Sequence, residues 1–348
     1  MKCLIVSVLL LLAVSDVYSD SDVAGVRRIA VSDLDNERDV QAMVWYPAGS
    51  TGVPESIGAN AVFSGTAALP DAAVKAGRYP LILLSHGGFR SAPGSANWLA
   101  SALARLGYIA AVVIPPDMAS GPPSAEVLKE LGLRPQDLSA AISTLTTHDI
   151  FQKSIDAERI AAVGLFLGGH SALALAGIRP DAAELASSCT RPYRSLDCEW
   201  FAGGGVDLQA ADLDPALQTV RDQRIKAVVA VDPELTHAAS SEGLDALSAA
   251  IHLVNVGPWA DAGSMLNASE LAARISGASY DTIPDAGRFS TFGDCTDKAV
   301  AILEEEGEST LLCQDGDANA SRAMIHKSLA ALVVKRLNET FTGDKQSR

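Results

Sequence analysis

Basic residues are scarce in this chain. Lysine and arginine number 27 against 42 aspartates and glutamates, so the 348 residues carry a formal net charge of −15. A nucleic-acid binder needs a basic stripe to neutralise phosphates, and electrostatic docking on anionic lipid needs clustered cations. The charge balance argues against both. Apolar runs after the N-terminal stretch are short and broken by Gly, Pro or charge, so no membrane span is expected; a spanning helix needs about 20 apolar residues in a row. No internal repeat and no low-complexity linker occurs. There is no His-x-x-x-His helix, no phosphate loop and no dinucleotide fingerprint after the first strand, so neither a cofactor nor a metal is expected.

Cysteine is also sparse, at five residues. Cys3 lies in MKCLIVSVLLLLAVSDVYSD, which has one basic residue, an apolar stretch from Cys3 to Val14, and small or polar residues beyond it. This pattern reads as a secretory signal peptide over residues 1–19, cut after Ser19. A cytoplasmic chain with an apolar N-terminus is the competing reading. The four remaining cysteines fall into two local pairs, Cys189 with Cys198 and Cys295 with Cys313. Three pairings are possible; the local one is favoured because each bridge then clips one polar excursion. Zinc is disfavoured by the lack of a short Cys-x2–4-Cys spacing. The expected location is therefore secreted or periplasmic.

What is abundant is apolar sequence, at 48%. β-rich apolar runs alternate with helical periodicity, which predicts an α/β fold: a mostly parallel twisted sheet of about eight strands with helices on both faces. The strands are expected at 26–31, 40–46, 81–85, 109–114, 160–164, 225–231, 251–256 and 280–283. A helix is predicted through Trp98, Leu99, Ala102, Leu103 and Leu106, another from Gly168 to Ala176, and a closing one through Ile325, Leu329, Leu332, Val333 and Leu337. Residues 20–348 are expected to form one domain, with an excursion at about 183–218 that lacks a clean period and a disulfide-clipped segment at 295–313.

The segment RIAAVGLFLGGHSALALAG, residues 159–177, reads as a strand, a sharp glycine turn and a helix, with Phe166 at the apex. In α/β serine hydrolases that apex carries the nucleophile, in the pattern G-x-S-x-G. Here the pattern is Gly164-Leu165-Phe166-Leu167-Gly168. A benzyl group has no lone pair to activate. Upstream, LILLSHGGFR supplies a strand followed by His86-Gly87-Gly88-Phe89, a glycine-bearing turn suited to oxyanion donors. Leu167, directly after the apex, is the other candidate there.

These stretches, with Val44-Trp45-Tyr46-Pro47, Ile225 to Pro233 and Ile283-Pro284-Asp285-Ala286-Gly287-Arg288-Phe289, resemble the bacterial α/β-hydrolases related to platelet-activating-factor acetylhydrolases and dienelactone hydrolases. The resemblance covers most of the chain after about residue 24. It implies a carboxylic-ester hydrolase with a Ser-His-acid triad. Such proteins usually read G-H-S-x-G-G at the elbow and place the histidine in a phrase like A-G-H-F. This chain has Leu165 and Phe166 at the first and Arg288 at the second. Arginine stays protonated near neutral pH and cannot serve as the base. The acid position is open between Asp232 and Asp261. Ser171, His170 and His237 are weaker stand-ins, since Ser171 is carried into the helix beyond the apex.

Three readings follow. One is a hydrolase-fold protein that has lost the serine-esterase reaction and has a small acyl or lipid-like ligand as its possible partner. The second is an active ester hydrolase with a non-standard nucleophile. The third is a non-catalytic module whose excursions contact a protein partner that the sequence leaves unknown.

Overall fold

A computed structural model describes residues 23–32, 38–49, 51–88, 92–116, 125–190, 198–218, 220–261, 266–316 and 320–346. The stretch read as a signal peptide and Phe89 lie outside the described residues. Ten strands among the described residues form one sheet: β1 (Gly25–Val31), β2 (Val40–Tyr46), β3 (Glu55–Ile57), β4 (Thr66–Pro70), β5 (Tyr79–Ser85), β6 (Ile109–Ile114), β7 (Ile155–Leu165), β8 (Ile225–Val231), β9 (Ala250–Val256) and β10 (Ser279–Ile283). Their order is β10-β9-β8-β7-β5-β6-β2-β1-β4-β3. The six strands from β10 to β6 run parallel, and β2 joins β6 antiparallel. The eight expected strands are all present. The count of about eight is corrected to ten by β3 and β4, short strands at the open edge with several exposed residues.

The helices are α1 (Asn97–Arg105), α2 (Glu130–Thr147), α3 (Leu167–Leu175), α4 (Ala182–Ala186), α5 (Cys198–Gly203), α6 (Ser269–Arg274), α7 (Ala299–Glu305) and α8 (Arg322–Gln346). The strand pleat sends successive side chains to opposite faces, so each buried strand feeds two cores. In β5, Leu81 and Leu83 pack with Leu138, Ile142 and Leu145 of α2 and Leu173 of α3. Ile82 and Leu84 face the other way, with Leu99 and Leu103 of α1 and Leu329 and Val333 of α8. Buried on both faces, β5 is wholly apolar up to Ser85, as a central parallel strand should be.

The excursion at 183–218 contributes α4 and α5 and packs a third cluster, with Leu185, Phe201 and Leu208 against Leu131 and Leu167. Its residues 191–197 lie outside the described ones. Disulfides join Cys189 to Cys198 and Cys295 to Cys313. The second lies where residues 293–296 meet the segment before β4: Phe63 bridges to Cys295, and the Thr296 N–H donates to the Val62 carbonyl at 2.8 Å.

Candidate active site

Parallel strands bring their C-terminal ends to one edge of the sheet, where ligands of open α/β folds bind. The sequence candidates follow those ends: His86–Gly88 after β5, Phe166 after β7, Asp232 after β8, Asp261 beyond β9 and Arg288 beyond β10.

Phe166 sits between β7 and α3 with φ 52° and ψ −120°. A bulky residue at positive φ is strained and persists only where its surroundings force it. Two glycines do the forcing. A Cβ on Gly164 would stand 2.0 Å from the Gly168 carbonyl oxygen, and one on Gly168 would stand 2.2 Å from that of Ser85. The chain therefore passes from strand to helix in one residue, with the helix start pressed on the end of β5. The Phe166 N–H donates to the Val231 carbonyl at 3.0 Å, and the Phe166 carbonyl accepts from Gly169 at 2.8 Å and from Glu234 at 3.1 Å. The side chain is 3% exposed. Its ring lies 5.8 Å from that of Phe292, which meets Phe289 edge-on at 5.6 Å. Leu167 is buried and belongs to the cluster under the excursion.

His86 is buried beside the elbow. Burial, helped by the Arg134 guanidinium, pushes its imidazole down to about 3. Arg134 reaches from α2 to the Gly87 and Gly88 carbonyls, at 3.3 Å each. This buried arginine fixes the turn after β5, and no motif announced it.

The two aspartates have different surroundings. Asp232 is 1% exposed, at φ 45°. Its Oδ1 accepts from the Val256 N–H at 2.9 Å and from Asn255 Nδ2 at 3.0 Å. Oδ2 is buried without a hydrogen-bond partner among the described residues. Burial pushes the carboxyl up to about 7 against the two hydrogen bonds, which favour the charged form. Asp261 is exposed. Arg288 is exposed as well. Its guanidinium lies 5.5 Å over the Trp259 ring, and Trp259 Nε1 donates back to the Arg288 carbonyl at 3.0 Å. Arg288 and Asp261 both line a surface cleft of about 580 Å³.

The stand-ins separate cleanly. Ser171 is fully buried, and its Oγ donates to the Leu167 carbonyl at 3.3 Å. His170 is buried, and burial pushes it down to about 4. His237 meets a serine that carried no sequence signal: its Nε2 lies 3.1 Å from Ser188 Oγ. Ser188 is fully buried just beyond α4, beside Cys189, and its Oγ also reaches the Glu184 carbonyl at 3.2 Å. The sequence separation of 49 hid the pair from any reading by spacing.

No family model matches the chain, and no curated protein matches its sequence. Solved structures do match. A ferulic acid esterase from Streptomyces cinnamoneus is similar at 17% identity and a TM-score of 0.59, covering 91% of this chain and 89% of its own. A dienelactone hydrolase from Anabaena variabilis is 14% identical over 82% of this chain and 95% of its own, with a TM-score of 0.44. The apo form of Thermogutta terrifontis esterase 2 is 15% identical over 75% and 82%, with a TM-score of 0.42. With the sheet order and the strand–turn–helix around Phe166, the likeness to the ferulic acid esterase gives the conclusion that the chain has the α/β-hydrolase fold.

Proposed function

We propose that this is an exported α/β-hydrolase-fold protein, derived from carboxylic-ester hydrolases, that no longer performs serine-esterase chemistry. In this reading Phe166 occupies the nucleophile position, Arg288 the histidine position and Asp232 the acid position. The observation that carries it is the elbow itself. The strained apex is kept, but its side chain is a phenyl ring packed into the core against Phe292. Such a ring offers no attacking atom and takes up room a substrate would need. Asp232 is preferred to Asp261 because it has a buried, unpaired oxygen. A carboxylate that once oriented an imidazole would be left in that state once the imidazole was gone.

A triad stripped of a member still leaves roughly 10³–10⁴-fold catalysis over water from the oxyanion hole and binding. With Phe166 filling the apex, the residual rate should fall below that. The two disulfides support an oxidising compartment, and a small acyl or lipid-like ligand is the expected partner. The test is hydrolysis of p-nitrophenyl acetate by the purified protein, together with labelling by a fluorophosphonate. We expect neither. Turnover in the ordinary enzyme range, about 1–10³ s⁻¹, with covalent labelling would overturn the reading.

A second reading rests on Ser188 and His237, whose contact is that of a nucleophile with its base. Complete burial of the serine weighs against it. Turnover that disappears in Ser188→Ala would carry this reading instead.

A further inference from the structure

A second cleft lies away from the strand ends, between α1 and α8 and beside the start of β4. It encloses about 600 Å³, within the roughly 300–1,000 Å³ typical of small-molecule sites. It runs along α1 from Trp98 to Leu106, about 12 Å at the helical rise. Its apolar wall is Trp98, Ala102, Leu106, Ala330 and Ala331. Alanines at the last two positions keep α8 thin where the space opens.

Trp98 is held firmly. Its ring is stacked on His326 at 3.7 Å and 3°, and its Nε1 donates to the Thr291 carbonyl at 2.8 Å. His326 Nε2 in turn donates to the Phe292 carbonyl at 2.9 Å. The ring wall is thus a built surface, and Phe292 stands between it and Phe166.

The charges on this cleft run against those of the chain. Arg105 and Lys327 line it, with Asp294 as its one carboxylate, in a protein of net charge −15. Long cationic side chains lay their methylenes on apolar surface and keep their heads at the water boundary. An apolar trough lined also by two cationic side chains matches a ligand with an apolar tail and an anionic head.

We propose that the cleft between α1 and α8 binds a single-chain anionic amphiphile, of the class of a medium-chain carboxylate. The tail lies along Trp98 and the alanines of α8, and the carboxylate is held at Lys327 and Arg105. The site is separate from the elbow and does not depend on whether Phe166 occupies a lost nucleophile position.

The test is isothermal titration calorimetry of the full chain with sodium dodecanoate below its critical micelle concentration. Dodecanoate should bind at a one-to-one ratio, and dodecyltrimethylammonium, with the same tail and the opposite charge, should not. Ala331→Trp, a change at an exposed position, should fill the trough and abolish binding. Lys327→Glu should weaken it about tenfold, or by about 1.4 kcal/mol. A Phe166→Ser and Arg288→His double variant should bind as the unmodified chain does. No saturable dodecanoate binding, equal binding of the cationic amphiphile, or unchanged affinity in both Ala331→Trp and Lys327→Glu would overturn the proposal.

Discussion

The turn at Phe166 and the loop at Arg288 hold their side chains in opposite ways. At Phe166 the backbone is fixed by its surroundings, and the side chain lies in the core, 3% exposed against Phe292. At Arg288 the side chain stays in solvent, resting on Trp259. The contrast separates two things that one motif usually merges. Glycines specify the shape of the elbow, because only a residue without Cβ fits where backbone meets backbone; the apex residue specifies chemistry. On the proposed function, the first has outlasted the second.

The largest effect expected from this comparison is on the frame. Gly168→Ala puts a methyl group 2.2 Å from the Ser85 carbonyl oxygen, which should cost about 4 kcal/mol or more in urea unfolding, at the upper end for single substitutions. Next come Phe166 and Arg288 themselves. Phe166→Ser removes a buried ring and should cost about 3 kcal/mol, whereas Arg288→Ala at an exposed site should change stability by less than about 0.5 kcal/mol. Equal costs at both would erase the distinction between them.

A further effect, intermediate in size between those two, is one of pH. The Asp232 carboxyl ionises at about 7 in the folded chain and near 3.8 when exposed. Between those values the folded state holds a proton that the unfolded state has released. Stability from this group is therefore complete below about 3.8 and is lost as pH rises through 7. Buried His86 and His170 work the other way. Their folded values lie at about 3 and about 4, below the ordinary 6.5, so their contribution is present above 6.5 and is lost as pH falls. Asp232→Asn should raise stability at pH 8 by roughly 1–3 kcal/mol and do little at pH 4, as read by thermal melting at each pH. A loss at pH 8 would mean that Asp232 is charged and satisfied there.

Much of the fold was legible because the signals were local. The parallel strands are continuous apolar runs, and the glycine turn sits where β7 gives way to α3. The edge strands β3 and β4 were not legible; ESI and TAALP are short and partly exposed, so neither length nor alternation marks them. Helix α2 contains Gly132 and Pro135, residues that usually interrupt a helix, yet it runs from Glu130 to Thr147. Tertiary packing decides such a segment: Leu138, Ala141, Ile142 and Leu145 are buried against the sheet. At the candidate site, the positions of Phe166 and Arg288 could be read from phrases around them. Their surroundings could not, because Phe292 reaches Phe166 and Trp259 reaches Arg288 across long sequence separations. The different surroundings of the two aspartates, one buried with an unpaired oxygen and one exposed, are likewise not encoded by spacing.

On the proposed function, Phe166 occupies the seat of a lost nucleophile and Arg288 that of its base. The most direct measurement is peptide mapping after fluorophosphonate treatment of the folded Phe166→Ser and Arg288→His double variant. Nucleophile and base act as a unit, so the adduct should appear at position 166 in the double variant and be nearly absent from either single one. A well-folded double variant that takes no label, or one labelled at Ser188 instead, would contradict the account.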